Sequence, residues 1–316
     1  MARPASVVCP EGLHHITAIT RDAPRNVEFY AGTLGLRLVK KTVNFDQPDV
    51  YHLYYGDETG ASGSILTFFE LPDARPGRHG EGMVHTIRWR VASEEALAFW
   101  RVRLEGRVLE GEATAQAERV VAFCDPEGLR HELVVAEVPD APLTAVAAEV
   151  PAAFALQGLD GVGAYSDTPE RSAALLTQLG FAREQGRGAV WNAAGVARRS
   201  QLTYEPSPGT GVPGAGTVHH VAWSVADDVE LEQFRGLAAA AGARPTPLID
   251  RQYFHSVYFR EPSGVLFELA SRDVGFEVDE PRASLGSALK LPAQHESRRA
   301  QIEPALTPIV NPRQVG

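Results

Sequence analysis

At 316 residues the chain is too long for one ordinary domain, and two domains of about 150 residues are expected. Hydrophobic residues make up 44% and charged residues 22%, so a sizeable core can form and wholesale disorder is excluded. Lys and Arg number 30 against 40 Asp and Glu, and the net charge of −10 argues against nucleic acid or an anionic membrane as partner. No apolar run reaches about 18 residues, so no membrane-spanning helix is expected. The stretch from Met1 to His15 lacks the basic-then-apolar pattern of a secretory leader. Two cysteines, Cys9 and Cys124, cannot build a disulfide framework and suit a reducing cytoplasm.

In chain order, the first unit spans 11–72. From Gly12 it reads as a strand, a turn at Asp22-Ala23-Pro24, a helix with Val27, Tyr30 and Leu34 at helical spacing, then strands. The second, 82–138, opens on the alternating run MVHTIRWRV around His85 and closes on FCDPEGLRHEL, Phe123 to Leu133. A stretch rich in Ala, Pro and Val, 139–155, reads as a connector. The third unit, 156–206, repeats the first: strand, turn at Asp167-Thr168-Pro169, helix with Ala173, Leu176 and Leu179, strand. The fourth, 216–271, has TVHHVAWSV, a helix with Leu231, Phe234 and Leu237 stopped by Gly242, and FREPSGVLFEL, Phe259 to Leu269. That last segment matches Phe123–Leu133 at five of eleven positions. Glu132 follows His85 by 47 residues and Glu268 follows His220 by 48. Residues 272–316 lack a fifth repeat and read as an extended arm with one helix around Glu296 to Leu306.

Four strand–helix–three-strand units with GLHHIT at the front and HHVAWSV and GVLFELA at the back resemble the vicinal oxygen chelate (glyoxalase/extradiol dioxygenase) superfamily. Within it the chain is similar to the ring-cleaving dioxygenases that act on hydroquinones. The resemblance extends over YHLYYGDETGASGSILTFF, DRQYFHSVYFREPSGVLFELA and VGFEVDEPRASLG, nearly the whole length. It implies an α+β fold of βαβββ modules forming two half-open mixed β-barrels plus a C-terminal arm. The modules group in the chain as an N-terminal pair, 11–138, and a C-terminal pair, 156–271.

Two imidazoles and one carboxylate on one face of a metal suit non-haem Fe(II), with Mn(II) as the alternative. Strand alternation tests which side chains share a cavity. His220 shares a face with Ala222 and Ser224, leaving room for a metal, while His219 shares one with Val221, Trp223 and Val225. His15 shares a face with Thr17. Two ligand sets are written in the sequence. Pairing the first unit with the second gives His15, His85 and Glu132; pairing it with the fourth gives His15, His220 and Glu268. Ligand counting leaves both open. The neighbours favour the fourth unit, because Arg251, Tyr253, His255 and Tyr258 precede Glu268, whereas Ala122 stands ten before Glu132 where Tyr258 stands ten before Glu268. The resemblance points to the same set: His15, His220 and Glu268. His85 and Glu132 then read as a relic of duplication or a structural pair. His52, His79, His131 and His295 carry no partner pattern and are expected to face solvent, and Cys9 and Cys124 carry no functional expectation.

The reaction expected from this resemblance is insertion of both atoms of O2 into a hydroquinone- or catechol-type aromatic diol by an extradiol-type enzyme. Tyr258 is expected to hydrogen-bond the substrate and Arg251 to offset its developing negative charge. His14, His219 and His255 are candidate proton shuttles, although alternation turns His14 and His219 away from the metal, and Thr17 lines the pocket. A glyoxalase-type isomerase is the alternative within the fold. It calls for a fourth protein ligand, usually Glu, at a slot that falls near Thr67. A non-enzymatic small-molecule binder is the alternative outside catalysis, and a homo-oligomer is compatible with the sheet edges and the apolar tail.

Overall fold

The protein is described here by a computed structural model covering residues 9–45, 47–109 and 119–314. Strand β1 (Leu13–Thr20) leads into helix α1 (Ala23–Val27), which has Pro24 in its first turn and the Asp22 carboxylate accepting from the Arg25 amide at 3.0 Å. The helix continues in π form over Glu28–Thr33, and β2 (Arg37–Val43), β3 (Tyr51–Gly56) and β4 (Ile65–Glu70) complete the unit. The second unit contains β5 (Val84–Val91), α2 (Glu94–Arg103), β6 (Val120–Cys124) and β7 (Arg130–Val135). Of the three strands expected after its helix two are described, and residues 110–118 lie outside the described residues. The third contains β8 (Leu159–Tyr165), α3 (Ala173–Gln178), β9 (Ala182–Arg183), β10 (Ala189–Ala194) and β11 (Arg199–Glu205). The fourth contains β12 (Val218–Val225), α4 (Asp228–Ala240), β13 (Ile249–Asp250), β14 (His255–Arg260) and β15 (Leu266–Ser271). Asp227 caps α4 by accepting from the Val229 and Glu230 amides, and Leu231 and Phe234 are buried as their spacing predicts. In the arm the expected helix shrinks to α5 (Arg299–Ile302) between 3-10 turns, because Pro304 removes an amide donor.

The units do not pair in chain order. One sheet has eight strands in the order β13-β14-β15-β12-β1-β4-β3-β2, the other seven in the order β6-β7-β5-β8-β11-β10-β9. First therefore joins fourth and second joins third, across antiparallel seams β1/β12 and β5/β8. This is the pairing of first with fourth that the residues preceding Glu268 favour, so the units 11–138 and 156–271, consecutive in the chain, are shared between the two sheets. Each sheet takes one unit from either side of the connector, which places β1, buried along its whole length, in mid-sheet rather than at an edge.

Each seam is bulged at matching places. Leu13 and His15 face Trp223 and Ala222, so His14 is an extra residue in β1; Thr17 and Ala18 face His220 and Val218, so His219 is extra in β12. His85 and Asp160 are the extra residues of the other seam.

One sheet face packs beneath the helices, with Val221, Trp223 and Val225 in a continuous core with Leu231 and Phe234. The opposite face of the eight-stranded sheet forms a half-barrel lined by a separate apolar cluster that includes Val39, Tyr54, Ile65, Ala222, Tyr253 and Phe254. The arm adds Phe276 and Leu285 to that lining.

His131 is fully buried, correcting the expectation of solvent exposure; it shares the inner face of β7 with Leu133. Trp89 Nε1–H donates to its Nδ1 at 3.1 Å, which leaves the Nε2 proton for the Tyr30 oxygen at 2.9 Å, and the Tyr30 hydroxyl donates to Asp125 at 3.0 Å. This chain ties the first unit's helix to the second unit. Burial pushes His131 down to about 3, whereas an unfolded histidine titrates near 6.5. The unfolded chain therefore takes the proton first. Stability from this group is intact above pH 6.5 and falls by about 1.4 kcal/mol per pH unit as pH drops towards 3. In urea titrations at pH 7 and pH 5, the wild type is expected to lose about 2 kcal/mol more than His131→Gln. Equal losses in the two proteins would mean that folded His131 protonates freely.

Candidate metal centre

Three strands at and beside the first seam bring His15, His220 and Glu268 together. His15 lies opposite Ala222, which in turn lies opposite Glu268, so β1, β12 and β15 present them side by side. His15 Nε2 and His220 Nε2 are 3.3 Å apart, and Glu268 Oε2 lies 3.1 Å from the first and 2.9 Å from the second. All three residues are buried, and they form the one group of three potential metal-ligating side chains found among the described residues. Donors about 2.1 Å from an ion and at right angles to one another stand about 3.0 Å apart, so this triangle matches one face of an octahedron. Glu268 Oε2 has no partner in hydrogen-bonding geometry although both imidazoles are near, while Oε1 accepts from Ser256. A buried carboxylate oxygen left in that state fits a divalent cation. Burial pushes the Glu268 carboxyl up, and the His15 and His220 imidazoles, where they turn Nε2 protons to it, pull it down harder, well below the usual carboxylate range.

The two bulges bring in His14 and His219. Strict alternation would turn both away, yet His14 Nδ1 is 2.9 Å from His15 Nδ1 and His219 Nδ1 is 2.7 Å from His220 Nδ1. A bulge places the extra residue beside its successor and so re-aims the side chain. To turn both Nε2 lone pairs to an ion, His15 and His220 must carry their protons on Nδ1, where His14 and His219 stand ready to accept them. Burial lowers His14 to about 3, and partial burial with His220 nearby lowers the more exposed His219, so both act as neutral acceptors near pH 7.

Tyr258 pairs directly with Glu268 across β14 and β15, and its ring lies 5.7 Å from that of His220. Arg251 Nε donates to its phenol oxygen at 3.3 Å. Burial raises the Tyr258 phenol above its ordinary range, so it stays protonated. Thr17 Oγ1 is 2.9 Å from Thr67 Oγ1. His255 is not part of the centre: it projects from the opposite face of β14, and its Nδ1 contacts Asp228 of α4 at 2.6 Å.

Sequence reasoning missed His52, expected at the surface. It is buried, with Nε2 2.9 Å from Thr67 Oγ1 and Nδ1 2.9 Å from the Tyr54 hydroxyl. The signal that could have found it is its two-residue spacing from Tyr54 on a strand wholly buried on both faces. His79 and His295 are half-buried, and Cys9 and Cys124 are free and half-buried.

The second sheet lacks the triad. Gly161 stands where His15 stands in the first sheet and Thr86 where His220 stands, so His85 is the counterpart of His219. Thr86 Oγ1 is accordingly 2.8 Å from His85 Nδ1, and His85 stacks on Tyr165. Glu132 is the counterpart of Glu268, but Arg88, from the position of Ala222, donates Nε–H to it at 2.8 Å. A guanidinium thus neutralises the carboxylate inside a cavity of about 1000 Å³, larger than the roughly 310 Å³ space beside His14.

A half-barrel of paired βαβββ units with imidazoles and a carboxylate meeting inside it defines a class of metal-site proteins. The chain belongs to the Glyoxalase/Bleomycin resistance protein/Dioxygenase superfamily, whose family model matches residues 12–133 and 82–269. It is 42% identical over 302 residues to MhqO of Bacillus subtilis (strain 168), provisionally named a ring-cleaving dioxygenase, covering 94% of this chain and 96% of MhqO. It is 31% identical over 311 residues to the chlorohydroquinone/hydroquinone 1,2-dioxygenase of Sphingobium indicum, covering 92% and 94% of the two chains. A crystal structure from Bacillus subtilis, provisionally titled a dioxygenase, superposes with a TM-score of 0.87 at 39% identity, covering 96% of this chain and 99% of that one. Maize glyoxalase I shares the fold, with a TM-score of 0.60 at 15% identity over 83% of this chain and 92% of that one. Among the described residues no helix is long and apolar enough to cross a membrane.

Proposed function

We propose that the protein is a metal-dependent ring-cleaving dioxygenase of extradiol type that inserts both atoms of O2 into an aromatic diol, with His15, His220 and Glu268 holding Fe(II). The observation that carries this reading is a three-donor face without a fourth carboxylate. Thr67 occupies the position across the seam that corresponds to Glu268, where an isomerase of this fold calls for a further ligand. When bound, the ion supplies a redox centre with coordination positions left for both reactants.

The chain's own residues do the rest. His14 and His219 hold the ligand imidazoles in one tautomer and orientation. Arg251 occupies the Tyr258 oxygen lone pair and so leaves the phenol proton for a substrate oxygen. The Arg251 charge lies beside that bond and favours an anionic substrate oxygen. Thr17 and Thr67 line the wall with paired hydroxyls.

In an oxygen-electrode assay, Fe(II)-loaded protein is expected to take up one O2 per diol consumed from a panel of hydroquinones and catechols, and to leave methylglyoxal–thiol adducts unchanged. Both atoms of 18O2 are expected in the ring-opened product. Absence of uptake with every diol, in protein shown to hold ferrous iron, overturns the reading.

A further inference from the structure

The eight-stranded sheet is palindromic about the β1/β12 seam, so residues on its two flanks can be matched by register. Thr17 faces Thr67 as Ala222 faces Glu268, and Tyr54 faces Thr67 as Tyr258 faces Glu268. Tyr54 is therefore the counterpart of Tyr258, and His52 that of Ser256. The counterparts behave alike: Ser256 donates to Glu268, and His52 Nε2 meets Thr67 Oγ1 at 2.9 Å. The flanks differ in charge where Thr67 stands in place of the carboxylate. The side of the triad without a carboxylate is thus the wall made by β4 and β3.

That wall is apolar apart from one connected set of groups. Thr17, Thr67, His52 and Tyr54 form a chain of contacts, each 2.9 Å long, that ends at the Tyr54 hydroxyl. The Tyr54 ring is buried beside Ala222, Tyr253, Phe254 and Phe276. Burial keeps His52 neutral, with one N–H and one lone pair. If Nδ1 carries the proton, Tyr54 accepts from His52 and its own O–H is free to donate. If Nε2 carries it, Tyr54 donates to His52 and its oxygen is free to accept. Either way one hydrogen-bonding capacity of the phenol is left for a partner, and a substrate hydroxyl can use either.

We propose that Tyr54, held by His52 and Thr67, binds the second hydroxyl of a 1,4-diol whose first hydroxyl lies at the triad, so that the pocket selects hydroquinones over catechols. Tyr258 attends the near oxygen from one flank and Tyr54 the far oxygen from the other. This inference rests on the dioxygenase reading and adds to it the residue that reads the far hydroxyl.

The test is anaerobic calorimetric titration of the Fe(II)-loaded full-length protein with hydroquinone, catechol and phenol, which lacks a second hydroxyl. The wild type is expected to bind hydroquinone at least about tenfold more tightly than phenol, one hydrogen bond's worth. Tyr54→Phe is expected to bring that ratio to about twofold by weakening hydroquinone alone, leaving the Kd values of phenol and catechol unchanged. His52→Gln, which keeps an amide for Thr67 and loses the contact to Tyr54, is expected to fall between. A merely structural role would weaken all three ligands together, and that result, or an unchanged ratio in Tyr54→Phe, overturns the inference while leaving the dioxygenase reading standing. Failure of all three ligands to bind the wild type would remove the dioxygenase reading and the inference with it.

Discussion

Glu268→Ala is expected to abolish metal binding and turnover together. The carboxylate is the only charged donor at the triad, it is fully buried, and both imidazoles rely on it to balance a divalent cation. Loss of a residue that merely supports a ligand costs about 10–100-fold in affinity or activity, and loss of this donor is expected to exceed that range. Iron per chain, measured by plasma emission after loading and desalting, is expected to fall from near one to below about a tenth, beyond the effect of a supporting residue. Calorimetry provides a second readout. An ion at about a hundred times its Kd stabilises the wild type by about 2.7 kcal/mol, and the variant is expected to gain nothing from the same ion. Glu132→Ala is the control. Its carboxylate is already neutralised by Arg88 and Arg130, so metal content should stay at the wild-type level. Stoichiometric iron in Glu268→Ala would move the ion elsewhere.

Lys40→Met is expected to release the arm from the half-barrel. Lys40 is fully buried on β2, and its Nζ donates to Asp279 at 2.6 Å and Glu280 at 2.9 Å while lying 5.2 Å from the Tyr253 ring centre. Three residues earlier, Arg37 donates to the carbonyls of Arg282, Ala283 and Leu285. These two cations hold the segment that carries Phe276 and Leu285 into the lining. Removing one member of a buried ion pair strands the other and costs about 3–5 kcal/mol; the partial exposure of Asp279 puts this case near the lower end, about 3 kcal/mol. Differential scanning calorimetry is expected to show a lowered Tm, and limited proteolysis to show new cuts beyond residue 272. Loss of that lining should also raise KM for the diol more than it lowers kcat. An unchanged Tm with an uncut arm would show that the arm is held by its apolar contacts alone.

The repeats, and the phase that put His15, His220 and Glu268 on one face, were legible because strand alternation and unit length leave direct marks in the sequence. The pairing of units was legible only through their neighbours: Tyr258 and Ala122 do face Glu268 and Glu132, as the ten-residue offset implies. Bulges were harder. A two-residue period cannot register an inserted residue, so His14 and His219 were turned the wrong way. Laid residue on residue, MVHTIRWRV and TVHHVAWSV match His85 to His219, whereas the spacings of 47 and 48 pointed to His220, since His219 precedes Glu268 by 49. His52 and His131 were misplaced because partners such as Thr67 and Tyr30 lie on other strands and helices, where no local pattern reveals them.

The central claim, that the first and fourth units enclose one divalent ion, is tested most directly by anomalous diffraction at the iron edge from crystals of the Fe(II)-loaded protein. One peak is expected, within about 2.3 Å of His15 Nε2, His220 Nε2 and a Glu268 oxygen. A peak beside Glu132 and Arg88, or one out of reach of any of those three side chains, would contradict it.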